Sequence, residues 1–160
     1  MSHACKLLIF LALTSVSLSA CTAPLSSLER TQVFNAATAA YDAGDYATAH
    51  SQWAILAKQS DPAAMRNLGH LHRKGLGFAK NAAKARDYYT QAARLGFAPA
   101  QMNLAMLYLS GTGKPNPPAD KLAYDGPQGL FWLERSAEGG YAPAVAYLRR
   151  IKKQVTPYNR

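Results

Sequence analysis

With 160 residues, 17% of them charged and 49% from the AVILMFWYC set, the chain has the size of one domain. Its composition is globular, which excludes an intrinsically disordered chain. The formal charge of +9 suits contact with anionic lipid, an acidic protein or an acidic polymer, and equally serves plain solubility. The only two cysteines, Cys5 and Cys21, exclude a disulfide framework and a cysteine-held metal site.

The chain opens with the three zones of a secretory signal. Lys6 supplies the positive end, residues 7–18 the apolar run, and Ser19 and Ala20 the small residues before a cut. The run is shorter than the ~20 apolar residues that span a bilayer. Leu18-Ser19-Ala20-Cys21 resembles the bacterial lipobox, which implies cleavage of residues 1–20 and acylation of Cys21. Several acyl chains, at about 0.8 kcal/mol per buried CH₂, would hold the mature protein to a membrane. By the same resemblance, Thr22 after the cysteine points to the outer membrane, on its periplasmic side. Cleavage removes Lys6 and no acid, leaving +8.

Residues 21–27 read as the acylated cysteine and a short tether, small, polar and proline-bearing. Ser26-Ser27-Leu28-Glu29 offers a capping box, with Ser26 as N-cap, so the folded domain is expected over 28–154 with a tail at 155–160. Alanine is abundant and β-branched residues are sparse between 35 and 150, which favours helix. Helices are predicted near 27–43, 46–59, 62–74, 82–95, 99–110, 127–138 and 143–153.

These helices repeat. When the chain is aligned on Ala64, Ala100 and Ala144, leucines follow four residues later at 68, 104 and 148. Eight residues after the first two alanines stand His72 and Tyr108, and eleven after stand Gly75 and Gly111. Fifteen residues before the alanines are Ala49, Ala85 and Gly129, eleven before are Trp53, Tyr89 and Leu133, and seven before are Ala57, Ala93 and Ala137. Such spacings place one apolar stripe on each helix, with alanines letting two helices approach closely and an aromatic filling the remaining gap. Asp61 is expected to cap the helix that Pro62 begins, and Gly96 and Gly140 to end helices in the left-handed conformation. The insertion between Gly113 and Gly129, with four prolines and no periodicity, reads as an irregular surface loop.

The phrase formed by Ala64, Leu68, Gly69, His72, Gly75, Gly77, Ala85, Tyr88, Ala92, Ala93 and Gly96 resembles the Sel-one-like repeat, a longer-looped relative of the tetratricopeptide repeat. A second copy keeps Ala100, Leu104, Tyr108, Gly111, Gly113, Trp132, Ala137 and Gly140. The copies depart from the pattern at three points: His72 replaces an aromatic, Ala105 replaces a glycine, and Gly129 stands where alanine is usual. The resemblance implies an all-α fold, a short right-handed α-solenoid of about three helix-hairpin repeats plus a C-terminal capping helix with Arg149, Arg150, Lys152 and Lys153 on its outer face.

No constellation of catalytic residues stands out. His70 and His72, two apart, point to different sides of a helix and cannot share a metal as an i,i+4 pair would. His72 occupies a packing position. Ser136 has no partnered base, and Gly75-Leu76-Gly77 follows a helix and lacks the P-loop lysine. Neither an enzyme, a metal nor a cofactor is therefore expected. Some cysteine-rich members of the family have been linked to β-lactam hydrolysis, but this chain lacks their paired cysteines.

In tetratricopeptide-type stacks the first helix of each hairpin lines the concave surface. On this chain the resemblance puts Arg66, His70, Arg73 and Lys74 there, then Met102, Met106, Leu109 and Ser110, then Arg150 and Lys153. A basic stretch beside a methionine-rich one suits an acidic, partly hydrophobic peptide. The expected function is a lipid-anchored periplasmic scaffold or adaptor that binds another envelope protein in assembly or secretion. The alternative is a factor that binds cell wall or a surface polysaccharide. The export signal disfavours nucleic acid, and nothing in the sequence gives the oligomeric state.

Overall fold

Residues 24–111 and 125–155 are described by the structure, a computed structural model. They form seven helices: α1 (Ser27–Asp42), α2 (Tyr46–Lys58), α3 (Pro62–Lys74), α4 (Ala82–Arg94), α5 (Ala98–Leu109), α6 (Gly126–Glu138) and α7 (Ala142–Val155). Each predicted helix is present, with ends within two residues of expectation. The signal segment, Cys21, most of the 113–129 insertion and the tail after 155 lie outside the described residues. None of the described helices is long and apolar enough to cross a membrane.

Five of the helix starts are written in short polar side chains. At α1, Ser26 Oγ accepts from the Glu29 amide at 3.3 Å while the Glu29 carboxylate accepts from the Ser26 amide at 2.9 Å, the reciprocal box expected there. Asp45, Asp61, Asn81 and Asp125 each accept from the amide three residues on, at 2.9–3.0 Å. At the other ends, Gly75, Gly96 and Gly140 have φ of 73°, 81° and 75°, the left-handed geometry that lets a chain leave a helix without a Cβ clash. Leu25, read as tether, is drawn into the fold: it packs on the first core cluster and its amide donates to Gln59 Oε1 at 3.3 Å.

Every helix packs on its neighbours in sequence, α1 on α2 through to α6 on α7, with a smaller contact from α3 to α5. Three hairpins and a closing helix thus stack into the expected right-handed solenoid. The core runs along the stack. Ala37, Ala49, Trp53, Leu56, Leu68 and Leu71 are buried between the first hairpin and α3. Ala85, Tyr89 and Leu104 follow, then Ala105, Leu133 and Ala144. The triplet of alanines used to align the copies, Ala64, Ala100 and Ala144, is wholly buried.

The two small-residue departures from the repeat turn out to be one device. A Cβ at Gly69 on α3 would lie 2.6 Å from the Tyr89 ring and 3.2 Å from the Ala85 carbonyl oxygen. A Cβ at Gly129 on α6 would lie 2.6 Å from Leu109 and 3.3 Å from the Ala105 carbonyl oxygen. The α3–α4 crossing therefore pairs Gly69 with Ala85, and the α5–α6 crossing pairs Ala105 with Gly129. The glycine has moved from the first helix to the second. Either arrangement leaves one large side chain room to lie across the gap, Tyr89 in one hairpin and Leu109 in the other.

At the position of Gly69 and Ala105, α7 carries exposed Arg149, and at that of His72 it carries exposed Lys152. A guanidinium stem there forbids the close approach of a further second helix, so α7 closes the stack. Tyr147, Leu148 and Ile151 of α7 pack towards Leu133 and Ala144, while the Arg150 guanidinium lies 4.6 Å from the Tyr147 ring centroid.

Candidate functional site

Two clefts flank the middle hairpin on opposite sides. The first is a groove of about 540 Å³ on the side formed by the first helices, where the concave surface was expected. Phe34, Thr38 and Tyr41 of α1, Trp53 of α2, Arg66, Asn67 and His70 of α3, Pro99 of α5 and Tyr141 before α7 line it, with Phe97 and Asp42 at its edges. Phe34 and Tyr41, seven residues apart, stand on one face of α1 and pack tilted against the Trp53 ring at 6.4 and 5.8 Å between centroids. Tyr41 also meets the His70 ring at 6.3 Å. The groove thus has an aromatic floor with a cationic side chain and a histidine on one wall.

Two of its buried polar atoms are hydrogen-bond donors without an acceptor. Trp53 is 3% exposed, yet its Nε1 has no partner, nor has the buried Nε of Arg66, whose Nη1 donates to Asn67 Oδ1 at 3.1 Å. Further along the same side, a smaller hollow is lined by Arg73, Asn103, Met106, Leu107 and Ser110, and Asn103 Nδ2 is likewise buried and unpaired. The Tyr89 hydroxyl lies within electrostatic reach of Arg73 and Arg66. It is buried and makes no hydrogen bond of full geometry, although Arg73 lies close enough to draw its pKa down against the larger upward push of burial.

Of the residues expected on this surface, Arg66 and His70 line the groove, and Arg73, Met106 and Ser110 line the hollow beyond it. Lys74 is exposed and lines neither, though its charge reaches His70. Met102 and Leu109 are placed differently: both pack on the cluster of Ala105, Leu133 and Ala144. The reason lies in Gly129, whose missing side chain leaves the space that Leu109 fills. Arg150 is engaged with Tyr147. The aromatic floor was not anticipated from sequence. Phe34 and Tyr41 give a signal in their seven-residue spacing, but Trp53 comes from another helix and reads as ordinary core.

The second cleft, about 890 Å³, lies on the opposite side between α2, the 75–81 loop and α4. Its wall is a stack of rings. His72 lies nearly parallel to Phe78 (4.5 Å, 29°) and to Tyr88 (5.6 Å, 10°), and His50 meets both His72 and Phe78 edge-on. His72, 6% exposed, therefore does the work of the aromatic it replaces, as its packing position implied. The loop is held by the Asn81 amide donating to the His72 carbonyl at 2.9 Å, which brings Phe78 over the imidazole.

Burial pushes all three histidines of the fold below their ordinary pKa. For His50 and His72 the second cause is Lys84. His70 is pushed down to about 4, by burial first and then by Arg73, Arg66 and Lys74. A histidine with a lowered folded pKa binds fewer protons folded than unfolded, so its contribution is complete above about pH 6.5 and is lost as pH falls towards the folded value. The urea midpoint is accordingly expected to fall steadily between pH 6.5 and 4. Replacing His70 by asparagine should flatten that slope while changing the midpoint little at pH 8.

Ser136, fully buried, donates to the Ala98 carbonyl at 2.7 Å and so ties α6 to the start of α5 rather than facing a base. Among the described residues no three His, Cys, Asp or Glu side chains gather as a metal site.

The family model described as Sel1 repeat matches residues 62–97 and 98–141, together half of the chain, and these are the second and third hairpins described above. Two solved structures are similar over most of the fold. One is a protective antigen of uropathogenic Escherichia coli displaying an SLR fold, with 28% identity, a TM-score of 0.68 and 79% of this chain covered. The other is a Sel1 repeat protein from Oxalobacter formigenes, with 33% identity, a TM-score of 0.58 and 70% covered. The chain spans only 26% and 41% of those two proteins. None of the curated proteins compared with it is similar. With two consecutive repeats matched and the same hairpin stack in both solved structures, this chain belongs to the Sel1 repeat family.

Proposed function

We propose that this protein is a lipid-anchored adaptor of the cell envelope, which holds a partner protein in the groove of its first helices and faces the periplasm from the outer membrane. Sel1 repeats as a class mediate protein–protein interaction. The observation that carries the reading here is the groove itself, an aromatic floor with buried, unpaired donors. Buried donors without acceptors are uncommon in folded proteins, and two of them on one groove support a face that meets a ligand. The anchor is supported by the Leu18-Ser19-Ala20-Cys21 pattern after an apolar run, and the envelope setting follows from that anchor. Binding rather than catalysis is supported by Ser136 being committed to a backbone carbonyl and His72 to a ring stack.

The test is photocrosslinking in the native host. A photoreactive residue at Thr38 or Asn67, both in the groove, is expected to yield a discrete adduct with another protein in the membrane fraction. The same residue at Ile55, exposed on α2, should yield none. With Cys21→Ser the protein should leave the membrane fraction and the groove adduct should be lost or much reduced. Adducts from Ile55 alone would contradict the reading.

A further inference from the structure

We infer that the groove selects an extended peptide segment in which an aspartate or glutamate side chain stands next to a bulky apolar one, the carboxylate meeting Arg66 and the apolar side chain lying on Phe34, Tyr41 and Trp53. This rests on the groove being the binding face and names what it binds.

The unpaired polar groups point in one direction. Trp53 Nε1 and Arg66 Nε are both donors, both buried and both without an acceptor, and Asn103 Nδ2 repeats the situation in the neighbouring hollow. Each wants an oxygen. A buried donor left without an acceptor destabilises the free protein, so a ligand that brings oxygens recovers that cost on binding. A peptide has them in its backbone carbonyls and, for a charge-assisted bond to a guanidinium, in a side-chain carboxylate. Trp53 and Arg66 line the same groove, so the apolar side chain and the carboxylate must come from adjacent or nearly adjacent residues.

Charge settles which kind of partner fits. The groove wall carries Arg66, with Arg73 and Lys74 following along α3, against one carboxylate, Asp42 at the edge. The protein's own segments do not supply the match. Residues 1–25 contain no Asp or Glu, Asp120 in the insertion stands between Ala119 and Lys121, and Asp125, which follows Tyr124, is committed to capping α6 through the Gln128 amide. A second copy, with a formal charge of +8 after cleavage, would be repelled. An acidic segment of a different protein remains.

The full-length protein in mild detergent would be incubated with an array of acetylated, amidated Gly/Ser decapeptides in which two adjacent positions carry every pair of residue types. Capping both ends removes terminal carboxylates, and an uncapped copy of each hit tells whether the terminus can substitute for the side chain. Pairs of Asp or Glu with Phe, Tyr, Trp or Leu are expected to dominate. The best hit, titrated calorimetrically, should bind about tenfold more weakly to Arg66→Gln and Arg66→Lys, since lysine keeps the charge but lacks the guanidinium donors. Trp53→Phe, which keeps a ring and removes only the donor, should weaken it several-fold with the melting midpoint nearly unchanged. An array without enrichment of acidic pairs, hits that depend only on a free terminus, or affinities indifferent to all three substitutions would overturn the inference. If adducts still form from Thr38 and Asn67 in that case, the groove remains the binding face and only its selectivity has been misassigned.

Discussion

Replacing Tyr89 by alanine is expected to lower the unfolding free energy by about 3–5 kcal/mol, a large part of the 5–15 kcal/mol typical of a domain. Tyr89 is wholly buried and lies across the hairpin crossing in the space that Gly69 leaves. Removing its ring leaves a cavity that neither helix can close, because the Gly69–Ala85 contact already brings the backbones as near as they can come. The second and third hairpins share this core through Leu104 and Leu107, so the loss should spread along the stack rather than melt one helix. Tyr89→Phe makes the contrast. It keeps the ring and deletes a buried hydroxyl with no well-formed hydrogen bond, so its unfolding free energy should stay within about 1 kcal/mol of the native protein or exceed it. Urea denaturation of the two variants measures both.

The second large effect concerns binding. Reversing charge at both Arg66 and Arg73 is expected to reduce capture of the envelope partner at least about thirtyfold at low salt, because two attractive contacts become repulsive. Stability should change little. Arg73 is exposed, and Arg66 contributes one hydrogen bond to its neighbour Asn67. The native interaction should itself weaken as ionic strength rises, while capture by the double variant should rise as salt screens its repulsion. Unchanged capture by the double variant, measured by pull-down from solubilised membranes, would remove the groove's basic wall from the account.

Much of this fold is legible in the sequence because solenoid packing is local. Each helix touches mainly its neighbours in the chain, so the spacing of Ala64, Leu68, Tyr89 and Ala93 carries nearly all the information needed to place them. His72 was also legible, since a position that packs an aromatic can be filled by a neutral imidazole. The groove was legible only by half. Its charged wall lies on α3 and follows from one helix's periodicity, whereas its floor gathers Phe34, Tyr41 and Trp53 from two other helices, a juxtaposition that no spacing within one helix encodes. Met102 and Leu109 show the converse. Their helix positions match the expected surface, but both are half-buried against the cluster of Ala105, Leu133 and Ala144, Leu109 in the space that Gly129 leaves. The ring stack around His72 depends on the path of the 75–81 loop, which has no periodicity to read.

The account stands on the groove, rather than the larger cleft on the other side, being the face that meets a partner. Amide hydrogen exchange on the purified complex with the crosslinked or co-isolated partner tests this most directly. Protection is expected over 34–42 and 63–74, with exchange over 46–50 and 78–91 unchanged. Protection confined to the cleft of His50, Phe78 and Tyr88, with the groove exchanging as in the free protein, would contradict it.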